Sequence, residues 1–282
     1  MLIASLLFAF MGAFAKLASQ HMSSLEVVFF RNLFGVFIIG YAIYKSNISS
    51  VGGRAFLLFF RGLMGFLSLL AYFYNIAHIS LGDAVTYSKT APFFTALFAY
   101  LFLKERLSFS GWMAIAIGFL GIILIAQPSG VGLSKYDLLG IFSGIGAALA
   151  YTSIRELRKY YETNMIVLSF TLVGTIGPII LFAISSFFYI DELDFLLGEF
   201  VVPSGVVWLY IIGLGVLGTM SQYYMTKSYA TTKAGVASAV SYSNIAFAIL
   251  VGVMLGDDLP SLITTFGVIL IVLAGVLVGR EK

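Results

Sequence analysis

The 282-residue chain has no cysteine, which excludes disulfides and thiolate metal sites, and its two histidines, His21 and His78, are too few to build a metal centre unaided. Charge is scarce: 10% of residues are Asp, Glu, Lys or Arg, against about a quarter in an ordinary soluble domain. The net charge of +3 is small, and no basic run offers a surface for nucleic acid or for recruitment to anionic lipid. A nucleophile elbow, an HExxH pair and paired carboxylates within an apolar run are all missing, which argues against an enzyme. A P-loop is missing too, which argues against work driven by ATP on this chain. No cofactor or metal is expected.

What is present is apolar surface: 60% hydrophobic residues and a mean hydropathy of +1.02. Long uncharged stretches recur from end to end, so the bilayer is the natural solvent and lipid the first partner. A spanning helix needs about 20 mostly apolar residues. The runs Gly62 to Gly82, Leu107 to Ser134, Thr163 to Ile190, Val201 to Thr226, Ala234 to Gly256 and Leu259 to Gly279 meet that length. Met1 to Ala15, Leu25 to Tyr44, Asp83 to Leu103 and Leu138 to Ile154 are shorter or interrupted by charge. The expected fold class is an all-α polytopic membrane protein of ten transmembrane helices. The chain enters its first apolar run without a basic leader, so that run reads as a retained span. Because it is short for roughly 30 Å of hydrocarbon, a few further residues upstream are expected.

Assigning loops alternately from a cytoplasmic N-terminus gathers Lys45, Arg54, Lys104, Arg106, Arg155, Arg158, Lys159, Lys227, Lys233, Arg280 and Lys282 on one side. The other side receives Lys16 and Lys135 beside Asp137, Asp191, Glu192, Asp194, Glu199, Asp257 and Asp258. The positive-inside bias places both termini in the cytoplasm, in a cell (inner) membrane protein. The sequon at Asn47 then faces the cytoplasm and reads as a chance match.

An internal repeat agrees with this. Ser80 to Ser108 lies over Thr232 to Pro260 at a constant offset of 152 residues, matching Glu105 to Asp257. The chain therefore divides into five-helix repeats at 1–132 and 133–282. An odd number of crossings inverts the second relative to the first.

The stretch Tyr74 to Ser108 resembles the EamA domain of the drug/metabolite transporter superfamily. The likeness lies in Leu81, Asp83 and Ala84 at the hinge into the fourth helix, in Pro92, in Leu103 to Arg106, and in Gly118 and Gly121 beyond. Arg61, Gly62 and Gly65 are similar to the third-helix start of the related solute carrier 35 branch. The resemblance covers the chain as two copies and implies ten helices and alternating access. The second copy departs from the pattern at Asn244, where proline is common, and at Asp257, where glutamate is usual.

Ionisable groups at membrane depth are costly and generally line a cavity. Arg31, Arg61 and Lys89 are such groups. Arg31 lies ~10 Å past Ser24 and Lys89 ~9 Å past Asp83, both from the outer face, whereas Arg61 lies about as deep from the cytoplasmic face. Attraction of an anionic solute is one reading. Snorkelling, or structural pairing with Glu26 and Asp83, is the other. Pro92 is expected to kink the fourth helix by freeing the carbonyl of Ser88. Asn75, Tyr87, Ser88, Gln222, Tyr223, Tyr242 and Asn244 complete the candidate binding set, and packing or interfacial anchoring is the alternative for each.

Gly213, Gly215 and Gly218 match GxGxxG but lie within an apolar span, without the strand and loop that dinucleotide binding requires. Close helix packing accounts better for them, as for Gly140/Gly144, Gly252/Gly256 and Gly275/Gly279. The expected activity is secondary transport of a small, anionic organic metabolite by alternating access. Export of amino acids, cofactors or drugs is the runner-up, and a non-transporting membrane scaffold is the alternative of another class. The chain is expected to be a monomer or homodimer.

Overall fold

The computed structural model describes residues 1–45, 51–91, 94–95, 97–98, 101, 108–126, 133–188, 190, 193–231 and 240–280. Among the described residues ten helices follow one another: α1 (Leu2–Ala18), α2 (Ser24–Lys45), α3 (Ala55–His78), α4 (Leu81–Ser88), α5 (Phe109–Ala126), α6 (Lys135–Leu157), α7 (Thr163–Ser185), α8 (Val207–Thr231), α9 (Ser243–Met254) and α10 (Leu262–Arg280). Among the described residues, α2, α3, α7 and residues 135–154 of α6 are long and apolar enough to cross a bilayer on their own. Residues of α1, α5, α9 and α10 form shorter apolar helices.

Helix starts are written in short polar signals. Ser23 and Glu26 at α2 and Ser134 and Asp137 at α6 each form a reciprocal capping box, and at α4 Ser80 caps the backbone N–H of Asp83, whose carboxylate accepts from the Ser80 hydroxyl. Each serine hydroxyl accepts from the backbone N–H three residues on, satisfying a donor the helix cannot. The uncharged run Gly62 to Gly82 is therefore not one helix. Ile79 is extended (φ −123°, ψ 178°), α3 ends at His78, and Ser80 opens α4. Local capping outweighs apolar continuity there.

The packing is two-fold. Exchanging each of α1–α5 for its counterpart in α6–α10 turns the pair α3–α6 into α8–α1, α3–α7 into α8–α2, α2–α3 into α7–α8 and α1–α9 into α6–α4, all of them observed. The pairs α2–α7, α4–α9 and α5–α10 map onto themselves. Ten helices in two inverted five-helix repeats are thus packed repeat against repeat.

Small residues set how closely the helices approach. A Cβ on Gly121 of α5 would lie 2.9 Å from the carbonyl oxygen of Gly267, and one on Gly267 of α10 would lie 2.9 Å from that of Gly121. Gly213 seats Phe14, Gly215 seats Phe34, and Gly218 lies against Arg31 and Met11. The GxGxxG stretch is a helix-packing surface. Gly140 and Gly144 receive Tyr87 and Thr90 in the same way, and Gly275 receives Tyr242.

Outward faces carry side chains such as Phe37, Ile179, Leu250 and Phe266, all of them exposed, whereas Glu26, Arg31, Asn32 and Arg61 are buried. This polar-inside, apolar-outside distribution suits a hydrocarbon solvent. At the face where α2, α4 and α6 begin, Lys16 pairs with Asp257 and Lys135 with Asp194. Asp257 also accepts from the backbone N–H of Leu81 at 2.9 Å, tying α1, the start of α4 and the turn after α9 together. Pro92, Lys104 to Arg106, Asp191, Glu192 and Lys233 lie outside the described residues.

Two outcomes follow. Gly121→Leu should destabilise the folded protein by at least about 1–3 kcal/mol through overpacking against the α10 backbone, seen as a lower unfolding temperature in detergent, whereas Gly40→Leu, which meets nothing within 4 Å, should shift it little. Asp257→Ala should cost about 1–3 kcal/mol by leaving Lys16 and the Leu81 N–H without their acceptor. Faster reaction of a single cysteine placed at Ser80 in that variant would report the opened contact.

Candidate functional site

A narrow cavity of about 70 Å³ lies between the repeats. Its walls come from α1 (Phe8, Met11), α2 (Arg31), α3 (Arg61, Gly65, Ser68, Leu69, Tyr72) and the end of α4 (Ser88, Lys89), then from α6 (Ala147, Ala150, Tyr151), α7 (Phe170), α8 (Gln222) and α9 (Asn244). The first four helices of each repeat contribute. Helices α5 and α10 pack on one another and supply none of the lining residues.

Arg31, Arg61 and Lys89 meet in this one cavity, so Arg61 does not occupy a separate cytoplasmic approach. Arg31 is 0% and Arg61 1% exposed, which excludes snorkelling for both. The carboxylates that precede them are engaged elsewhere. Glu26 accepts from the backbone N–H groups of Ser23 (3.0 Å) and Val201 (2.8 Å), and Asp83 accepts from the Ser80 hydroxyl (2.7 Å). Among the described residues, no carboxylate lines the cavity.

Arg31 Nη1 donates to Asn32 Oδ1 at 2.8 Å, and Nη2 to the Gly218 carbonyl at 3.0 Å and Gln222 Oε1 at 3.5 Å. The guanidinium carbons of Arg31 and Arg61 lie 4.8 and 4.7 Å from the centroid of the Phe170 ring. That ring is a shared electrostatic partner, each such contact being worth about 0.5–2 kcal/mol when desolvated. The Lys89 ammonium lies 5.9 Å from the Phe8 centroid.

The fourth helix is interrupted where its lysine sits. Regular structure stops at Ser88, and a turn at Lys89 and Thr90 follows. In the second repeat the same interruption falls at Tyr242, the counterpart of Thr90 at the 152-residue offset. Helices broken at matching positions beside a central cavity expose backbone and side chains to whatever occupies it.

Of the ten candidate binding residues, Arg31, Arg61, Ser88, Lys89, Gln222 and Asn244 line the cavity, and four face elsewhere. Asn75 donates to the Tyr136 carbonyl at 2.9 Å, linking α3 to α6. Tyr87 donates to Asp137 Oδ1 at 2.5 Å. Tyr223 stands edge-on to Tyr224, and Tyr242 is buried against Gly275. Within the cavity, Asn244 donates to the Ser5 carbonyl at 2.8 Å, while Ser88 donates back to Val85 at 2.8 Å.

Sequence reasoning missed Tyr151 and Phe170. Tyr151 had a signal, a lone aromatic following Gly144, Gly146, Ala147, Ala148 and Ala150 well inside a span. Phe170 had none, since one more apolar residue in an apolar helix is silent until two arginines are folded onto it.

The EamA-like transporter family model matches residues 1–127 and 134–280. An uncharacterized transporter of Helicobacter pylori is 34% identical over 99% of this chain and 92% of its own length. The pseudopaline exporter CntI of Pseudomonas aeruginosa is 31% identical over 99% of this chain and 94% of its own. Human solute carrier family 35 member G1 is 27% identical over 98% of this chain and 76% of its own. With the family pattern covering both repeats, this chain belongs to the EamA-like transporter family of the drug/metabolite transporter superfamily.

Proposed function

We propose that this protein is a secondary transporter that carries a small organic anion across the cell (inner) membrane by rocking its two repeats about the central cavity. One observation carries the reading: two buried arginines and a half-buried lysine face a cavity between inverted repeats, with no lining carboxylate among the described residues. Uncompensated charge in a low-dielectric interior is expensive, so a site of this kind gains most from a ligand of opposite sign. About 70 Å³ admits only a few waters. Binding pockets for organic ligands are several hundred Å³, so the cavity must widen to load, as expected of one state in an alternating cycle. The exporter among the relatives supports a transport function.

The same reading places both termini in the cytoplasm and sets the repeat boundary at 132/133. Charge asymmetry favours the first. The second is favoured by separate family matches ending at 127 and beginning at 134. Monomeric or dimeric assembly is compatible with a binding site contained within one chain.

Counterflow in proteoliposomes tests transport. A panel of labelled organic anions should contain one that exchanges saturably, and replacing both Arg31 and Lys89 by Ala should reduce its uptake to background. Undiminished anion uptake in that double variant refutes the anionic reading. Exchange of a zwitterionic amino acid or cofactor alone makes the runner-up correct, and exchange of nothing favours a scaffold. Because the chain lacks cysteine, sidedness is directly measurable. An impermeant maleimide should label Ser261→Cys in intact cells and Arg54→Cys only after permeabilisation; the reverse pattern inverts the topology.

A further inference from the structure

The three cations of the cavity differ in what they have left to give. Arg31 is committed: its two terminal nitrogens are spent on Asn32, the Gly218 carbonyl and Gln222, which fastens α2 to α8. Gly218 is the close-approach position beneath it, where a Cβ would meet Arg31 Nε at 3.0 Å. Arg61 and Lys89 are uncommitted. Among the described residues neither makes a hydrogen bond or an ion pair; Nε is buried without a partner in both arginines, so the difference between them lies in the terminal nitrogens, which are spent in Arg31 and open in Arg61. The hydroxyls of Tyr72 and Tyr151, which also line the cavity, have no hydrogen-bond partner among the described residues either.

Building on the transporter reading, we infer that Arg61 and Lys89 are the solute-binding cations, that Arg31 is a positioning residue, and that the solute is a small polycarboxylate. Arg61 and Lys89 come from different helices and rest against different rings, Phe170 and Phe8. They form two subsites, each needing its own anionic group. A monoanion would leave one cation of the cavity without a counter-charge, the costly arrangement in a water-poor site. The planar guanidinium of Arg61 presents paired N–H groups suited to a carboxylate, and Lys89 supplies a point charge. Tyr72 and Tyr151 are placed to donate to further carboxylate oxygens. Arg31 has its charge partly met by a backbone carbonyl and two side-chain amides, and it holds the α2–α8 contact across the two repeats.

The experiment uses the purified full chain and four probes: acetate, succinate and tricarballylate, with one, two and three carboxylates on a saturated chain, and inorganic phosphate. Dissociation constants come from calorimetry in detergent, and KM and maximal rate from counterflow. Native protein should bind succinate at least about tenfold more tightly than acetate, a gap of about 1.4 kcal/mol, and more tightly than phosphate. Arg61→Gln and Lys89→Gln should each bring succinate to within about twofold of acetate. Arg31→Gln, with Arg31→Lys as the second variant should the first not fold, should keep the succinate-to-acetate ratio and lower the maximal rate.

Equal binding of acetate and succinate, phosphate matching succinate, or loss of the ratio in Arg31→Gln with retention in the other two variants overturns the inference. Any of these leaves anion transport standing if the anions still exchange. Failure of every anion to bind or exchange overturns both readings.

Discussion

Hydrocarbon solvates neither charge nor an unpaired backbone group, and the whole architecture answers to that constraint. Each helix satisfies its own ladder, and large apolar side chains such as Phe37, Ile179 and Phe266 are turned outward. Polar groups at depth are gathered at the seam between the repeats. Arg31, Asn32, Arg61 and Gln222 are buried there. A soluble protein would place such residues at its surface and fill its centre with phenylalanine and leucine. Here the centre is where water-like chemistry is permitted.

That inversion needs the two repeats to meet closely, and small residues provide the means. Gly215 and Gly218 let α8 receive Phe34 and Arg31 of α2, and Gly140 and Gly144 let α6 receive Tyr87 and Thr90. The reciprocal contact of Gly121 with Gly267 fastens α5 to α10 away from the cavity. The eight helices that wall the site are thereby distinguished from the two that do not. An arrangement whose main interfaces run between repeats can shift one repeat against the other while each keeps its own fold, which is the mechanical requirement of alternating access.

Among the described residues, acidic side chains are used at helix starts and stay out of the cavity. Glu26 and Asp137 each close a capping box, Asp83 accepts from the Ser80 hydroxyl that caps its own helix, and Asp194 and Asp257 hold the two lysines of that face. A carboxylate at a helix N-terminus also lies favourably in the helix dipole. The cations deeper in the span are left with aromatic faces, amides and carbonyls, and the central site keeps a positive character that lining carboxylates would have cancelled.

The sequence by itself determined the class of the protein, because solvent preference and span length are properties of local composition. Apolar runs, capping serines, the 152-residue repeat and the cost of Arg31, Arg61 and Lys89 at depth can all be read along one dimension. Tertiary structure decided what those residues face. It separated Gly62 to Gly82 into two helices at Ile79, brought Arg61 into the chamber of Arg31 and Lys89, turned Asn75 and Tyr87 away toward α6, and placed Phe170 under two guanidinium groups. Helix faces are set by packing between segments as distant in sequence as Arg31 and Gly218. Such pairings leave no trace in the local pattern of either segment.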